Sequence, residues 1–254
     1  MSTEEIAKLL TLGIAPCIAI ALFVLIRDKN KKQQQALLAN SFILGALAMI
    51  LALLFAKVLN MLYNPKNDTI AGTLLYAFVN VALTEEFAKF FFVRYFSYPK
   101  KVFSEPFDGI LYCVFVAMGF AALENIMYIF LQPSYYLSVY VGSLRMITAI
   151  PLHASVAVIM GYFVGLAKFN HNSKSFLIVG LAAATIMHGI YDYFLFRGYY
   201  FLTIAGAIVS LIIGIWISFW AIKHHNSYIH LLPKKQRRKI LKEKAKKRMV
   251  KKTS

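Results

Sequence analysis

Three charges stand in a stretch where a greasy chain has little use for them. NVALTEEFAKFFFV, residues 80–93, places Glu85, Glu86 and Lys89 within five residues of a mainly apolar run. Others follow: Glu124 and Asn125 in GFAALENIMY, Arg145, Pro151 and His153 in RMITAIPLHASV, and His188 and Asp192 in IMHGIYDYF. Carboxylates beside imidazoles can transfer protons, activate water or hold a divalent cation. They are costly in a bilayer. On insertion scales an Asp, Lys or Arg at mid-membrane costs roughly 2.5–3.5 kcal/mol, and a Leu or Phe returns about 0.3–0.6. Such groups have to face a protein interior or a water-filled cavity.

Their spacing narrows the chemistry. Glu85 and Lys89 are i,i+4 with the glutamate first, the favourable order for an ion pair on a helix. Glu86 is rotated by about 100° and is expected to point elsewhere. His188 and Asp192 are also i,i+4, so the aspartate can orient the imidazole or share a ligand with it. Pro151 removes a helix hydrogen bond two residues before His153 and can open the backbone there. The deep acids Glu85, Glu86, Glu124 and Asp192 outnumber the deep bases Lys89 and Arg145 by four to two. Such an excess calls for protonated carboxyls, charged histidines or a bound divalent cation.

The elements that must position these groups are membrane helices. The chain has 254 residues, 59% hydrophobic and 15% charged, where a soluble domain carries about 25% charged residues. A span needs about 20 apolar residues. Seven are expected, near residues 7–26, 37–62, 70–95, 108–131, 138–167, 175–196 and 199–222. The fold class is therefore all-α and polytopic. The first run has an acidic flank (Glu4, Glu5), unlike a cleavable signal peptide, and is expected to remain as a helix. Basic residues cluster after the first, third, fifth and seventh runs, which puts the N-terminus outside and the C-terminus in the cytoplasm. One transmembrane domain is expected over 1–222, with a basic cytoplasmic tail over 223–254.

Counting along these spans puts Glu124, His153 and His188 near mid-bilayer, with Glu85 and Glu86 somewhat nearer the cytoplasm. Four helices thus aim polar groups at one layer, which scattered structural ion pairs would not do. The tail holds thirteen Lys or Arg against Glu243 alone. Anionic lipid is its expected partner, at about 1 kcal/mol for each cation near the surface, ahead of nucleic acid. Cys17 and Cys113 lie in apolar runs and read as packing residues, as do Gly161 and Gly165 of the GxxxG motif GYFVG.

From the residues alone two functions stand side by side: an intramembrane hydrolase, and a proton- or cation-coupled transporter or channel. There is no GxSxG or HExxH motif, and Asp192 is the one deep aspartate. The chain shows no internal repeat of the kind many transporters carry.

Four blocks in order resemble the PrsW family of intramembrane proteases: EEFAK (Glu85 to Lys89), DGILYCVFVAMGFAALEN (Asp108 to Asn125), Arg145 with PLHA (Pro151 to Ala154), and HGIYDY (His188 to Tyr193). They span roughly residues 70–196. The family is in turn distantly similar to the CAAX-processing prenyl proteases, whose EExxxR, FxxxH and HxxxN blocks would fall on Glu85 and Glu86, on Phe120 with Glu124, and on His188 with Asp192. Glu124 and Asp192 depart from that pattern, so its oxyanion groups do not transfer directly. The resemblance implies a membrane-embedded, glutamate-dependent endopeptidase. Its expected partner is a single-span protein such as a membrane-anchored anti-sigma factor. Glu85 is the expected general base. Glu86 would assist it or pair with Lys89 or Arg145. His153 and His188 would serve as acid, oxyanion partner or metal ligand, Glu124 is the third carboxylate, and Asp192 orients His188. Lys89, Asn125 and Arg145 support them. The family is also classed with metallopeptidases, which makes Glu85, Glu124, His153 and His188 a candidate zinc site.

Overall fold

In lipid every backbone N–H and C=O must find its partner inside the protein, so apolar runs of this length wind into helices. The computed structural model describes residues 1–26, 35–63, 69–169 and 173–224, and among these seven helical stretches are long and apolar enough to cross a membrane. They are α1 (Thr3–Ile26), α2 (Gln35–Leu62), a composite third span (Ile70–Ser97), α5 (Phe107–Phe130), a span of α6 (Tyr135–Ile147) and α7 (Ala149–Phe169), α8 (Ser173–Phe196) and α9 (Tyr200–His224). The basic tail from residue 225 onward lies outside the described residues, as do the basic residues 27–32.

α5 stands at the centre, packed against α1, α2 and α7, with α7 continuing the contact to α8 and α9. α5 and α7 are buried nearly all round, which is the signature of a helix enclosed by others. The outer helices turn large apolar residues outward, among them Phe23, Ile43, Leu54, Ile178 and Trp216. In water such a surface would drive aggregation; here it is the lipid face. The GxxxG motif sets the α5–α7 distance: a Cβ on Gly161 would collide with the backbone of Gly109, and one on Gly165 with that of Pro106. A similar contact joins α2 to α5, where Gly45 lies on the backbone of Val116 and Gly119 on that of Phe42. Cys17 and Cys113 are buried free thiols.

Two departures from regular winding matter for the site. The third span alternates: α3 (Ile70–Leu75), a π-helical stretch (Tyr76–Leu83), α4 (Thr84–Phe92) and a second π-helical stretch (Val93–Ser97). π turns use i→i+5 bonds and cluster at functional positions. Here Thr84 closes the first of them, its hydroxyl donating to the carbonyls of Asn80 and Val81 at 2.9 Å each. The other departure is a break at Thr148 between α6 and α7. Pro151 has no N–H for the carbonyl four residues back, so the helix yields at that point, and the Thr148 hydroxyl donates to Leu144 O at 2.8 Å. The opening expected at Pro151 thus falls three residues earlier.

Between α1, α5, α7 and α9 lies an apolar groove of about 750 Å³, bordered by Phe23, Val114, Val158, Leu211 and Ile215, with Ser155 on its wall.

Candidate active site

α4, α5, α7 and α8 bring their polar residues to one buried cluster. Glu86 lies at its base, with Oε1 2.8 Å from Lys89 Nζ and 2.8 Å from His188 Nδ1. The other nitrogen of His188 is 3.4 Å from Asp192 Oδ2 and 3.9 Å from Glu85 Oε2. His188 therefore faces three carboxylates. Lys89 extends from Glu86 to Glu85 Oε2 (3.4 Å) and His153 Nδ1 (3.0 Å), and its ammonium sits 3.9 Å over the Phe120 ring.

His153 links this half to the next. An ammonium can only donate, so Nδ1 accepts from Lys89, and Nε2 carries the hydrogen that points to Glu124 Oε2 at 2.9 Å. Glu124 Oε2 also lies 2.7 Å from Arg145, whose Nε donates to Asn125 Oδ1 at 2.7 Å. The Arg145 guanidinium stacks on Tyr128 at 4.2 Å. The two imidazole rings meet edge to face, their centroids 5.1 Å apart.

All nine residues singled out by sequence, Glu85, Glu86, Lys89, Glu124, Asn125, Arg145, His153, His188 and Asp192, fall in this network. Three pairings differ in part from those expected. Helix spacing alone turned Glu86 away from the Glu85–Lys89 face, yet of the two glutamates it is the closer partner of Lys89, one of the pairings expected for it, because i,i+3 neighbours share a helix face as i,i+4 neighbours do and the lysine stem reaches both. Glu86 is also the closest partner of His188, with Asp192 on the other nitrogen. Glu124 stands apart from the group able to share an ion: the ligand atoms that lie within 4.8 Å of one another come from Glu85, His153 and His188. Glu124 is held by Arg145 on the far side of His153.

The two adjacent glutamates separate by exposure. The Glu86 side chain is 2% exposed and that of Glu85 13%. Glu85 opens into a cleft of about 510 Å³ between α2, the first π-helical stretch, α4 and α5. Glu124 also reaches this cleft, but its two close partners already engage it; the nearest cation to Glu85 is 3.4 Å away. Asn80 and Thr84 line the same wall as Glu85, and Ala52, Leu53 and Ala56 of α2 face them. Asn80 Nδ2 donates to Asn60 Oδ1 of α2 at 2.6 Å. Sequence reading passed over both asparagines. The available signal was Asn80 itself, a polar residue in an apolar run five positions before Glu85.

One carboxylate and two imidazoles are the donor set of many catalytic zinc sites, and Glu86 holds Nδ1 of His188 as an outer partner commonly holds a ligating histidine, which leaves Nε2, on the side of Glu85 and Asp192, as the ligand atom. The set fits a divalent metal in its chemistry. Lys89 competes for the same place, since its ammonium already engages Glu85 and His153 Nδ1.

A seven-span helical bundle that buries carboxylates and histidines beside a cleft defines a polytopic membrane protein with a buried acid–base site, and comparison with known proteins states which kind. Residues 33–222 match the family described as PrsW family intramembrane metalloprotease. The chain is 30% identical to Protease PrsW of Geobacillus kaustophilus over 198 residues, covering 76% of this chain and 84% of that one. It is 30% identical to Protease PrsW of Oceanobacillus iheyensis over 211 residues (83% and 92% of the two chains) and 29% identical to that of Bacillus subtilis over 189 residues (74% and 82%). No solved structure matches it. The chain belongs to the PrsW family: it is a multi-pass membrane peptidase.

Proposed function

We propose that this peptidase hydrolyses a peptide bond of a single-span membrane protein, of the membrane-anchored anti-sigma-factor kind, with Glu85 as the base that activates water. One observation carries the assignment: of the four carboxylates in the cluster, Glu85 alone both opens into the cleft and lacks a partner closer than 3.4 Å. A water in the cleft gives a proton to Glu85 as its oxygen bonds to the substrate carbonyl carbon. The tetrahedral oxyanion forms near His188 and the Lys89 ammonium, whose positive charge stabilises it. When the C–N bond breaks, Glu85 returns the proton to the departing amine. Glu86 and Asp192 fix the His188 ring, and Glu124, held by Arg145 and Asn125, fixes His153.

Glu85, His153 and His188 are the residues that would hold zinc, which when bound supplies Lewis acidity and a more acidic water. In that case Glu85 serves as ligand, and Lys89 has to withdraw toward Glu86.

The test uses the purified full chain in proteoliposomes with a fluorescent single-span substrate. Glu85→Gln is expected to lower turnover by about 10²–10⁴, the range of a lost general base. Retention of more than a tenth of wild-type turnover rejects the assignment. Metal content measured on the same preparation, before and after a membrane-permeant chelator, separates the two forms: loss of activity with loss of zinc, restored by zinc, favours the metal-dependent one.

A further inference from the structure

An amide inside a transmembrane helix is shielded, because its carbonyl is bonded to an N–H four residues on. Hydrolysis requires that stretch to unwind. Each main-chain group freed within the membrane costs several kcal/mol unless a polar partner meets it. One turn of helix, 5.4 Å long and roughly 10–12 Å across, takes up about as much space as the whole cleft, about 510 Å³ with its open mouth included. An extended strand is the better occupant, and it needs a donor and an acceptor on the wall beside Glu85.

Few groups there can serve. The Thr84 hydroxyl hydrogen is engaged by Asn80 O and Val81 O, so Thr84 offers an acceptor but no donor, and the Tyr128 ring lies under Arg145. Asn80 remains. Its side-chain amide carries the same donor and acceptor pair as a peptide group, and only one N–H goes to Asn60. π winding places residues five apart about one turn from each other, so Asn80 stands a turn before Glu85, and both line the cleft. Asn60 is an exposed residue in the last turn of α2. By accepting from Nδ2 it fixes which end of the Asn80 amide is which.

We infer that Asn80 docks the unwound main chain of the substrate beside Glu85, with Asn60 as the positioning residue that sets its amide. The inference rests on the peptidase reading of the cleft, and a binding measurement separates the two. The probe is fluorescein-labelled β-casein, an unfolded polypeptide, with the full chain in detergent micelles. In a Glu85→Gln background, where hydrolysis does not interfere, Asn80→Leu is expected to raise the Kd for casein about tenfold. Asn60→Leu should raise it about threefold, with the thermal unfolding temperature of both kept close to that of their parent. With Glu85 restored, Asn80→Leu should raise KM by the same factor and leave kcat within about threefold. An unchanged Kd, or no casein binding at all, overturns the inference, as does a fall in kcat at constant KM. Should Asn80→Leu not fold, Asn60→Leu decides by the same two readouts. If casein binds, Asn80→Leu releases it and the wild type cleaves nothing, docking stands and the role of Glu85 falls. If the wild type cleaves casein and Asn80→Leu alters neither Kd nor KM, the reverse holds.

Discussion

Two hollows among the described residues reach α5, one at residues 107–114 and one at 120–128, and the larger of these is the less promising. The groove between α1, α5, α7 and α9 measures about 750 Å³, and Ser155 is the polar side chain on its wall. The cleft beside α2 measures about 510 Å³ and meets Asn80, Thr84, Glu85 and Glu124. Volume alone would select the wrong one. In a bilayer an apolar hollow needs no more than an acyl chain to fill it. A polar one is expensive and persists only where its groups are mutually satisfied. The cleft has that second property: an ion-paired and hydrogen-bonded network runs behind it from Asp192 to Asn125.

That contrast can be broken in three places. The largest effect is expected at Lys89, the cation shared by Glu85, Glu86 and His153. Lys89→Met leaves buried acids uncompensated. It should lower stability by about 3–5 kcal/mol, read as a drop in the unfolding temperature in detergent, and abolish turnover. Adding Glu86→Leu should recover part of the stability and none of the activity. A middling effect is expected from filling the cleft: Ala56→Phe should cut peptidase activity at least tenfold with little change in unfolding temperature, and normal activity would remove the cleft from the substrate path. The smallest effect belongs to the apolar groove. Ser155→Ala removes a hydrogen bond from the Ser155 hydroxyl to Pro151 O, worth about 0.5–1.5 kcal/mol, and Ile215→Trp narrows the groove. Each should leave turnover within about twofold of wild type. A large loss from either would give the groove a role in catalysis.

Much of this was legible in the chain because lipid is a strict solvent. Seven apolar runs became seven spans, within a few residues at most ends, since the length of a span is set by the bilayer rather than by packing. The charged residues were legible for the same reason: each is too costly to sit idle, and all nine named from sequence joined one network. Winding was not legible. The π-helical turns at Tyr76–Leu83 and Val93–Ser97 leave the apolar pattern intact, so nothing in composition marks them. Pairing was half legible. Periodicity put Lys89 on the face of Glu85, but a long flexible stem chose Glu86 at 2.8 Å over Glu85 at 3.4 Å. The Asn60–Asn80 contact joins two helices, and no spacing rule within either helix foretells it.

The glycine contacts at Gly45, Gly109, Gly119, Gly161 and Gly165 have a bearing on how this chain tolerates change. At each, the neighbouring backbone occupies the volume a methyl group would need. Even alanine, the mildest replacement elsewhere in a helix, has to push two helices apart. A saturation scan read out by expression should therefore find some of its least permissive positions in residues that touch no substrate and carry no charge, and a survey guided by chemistry alone would pass over them.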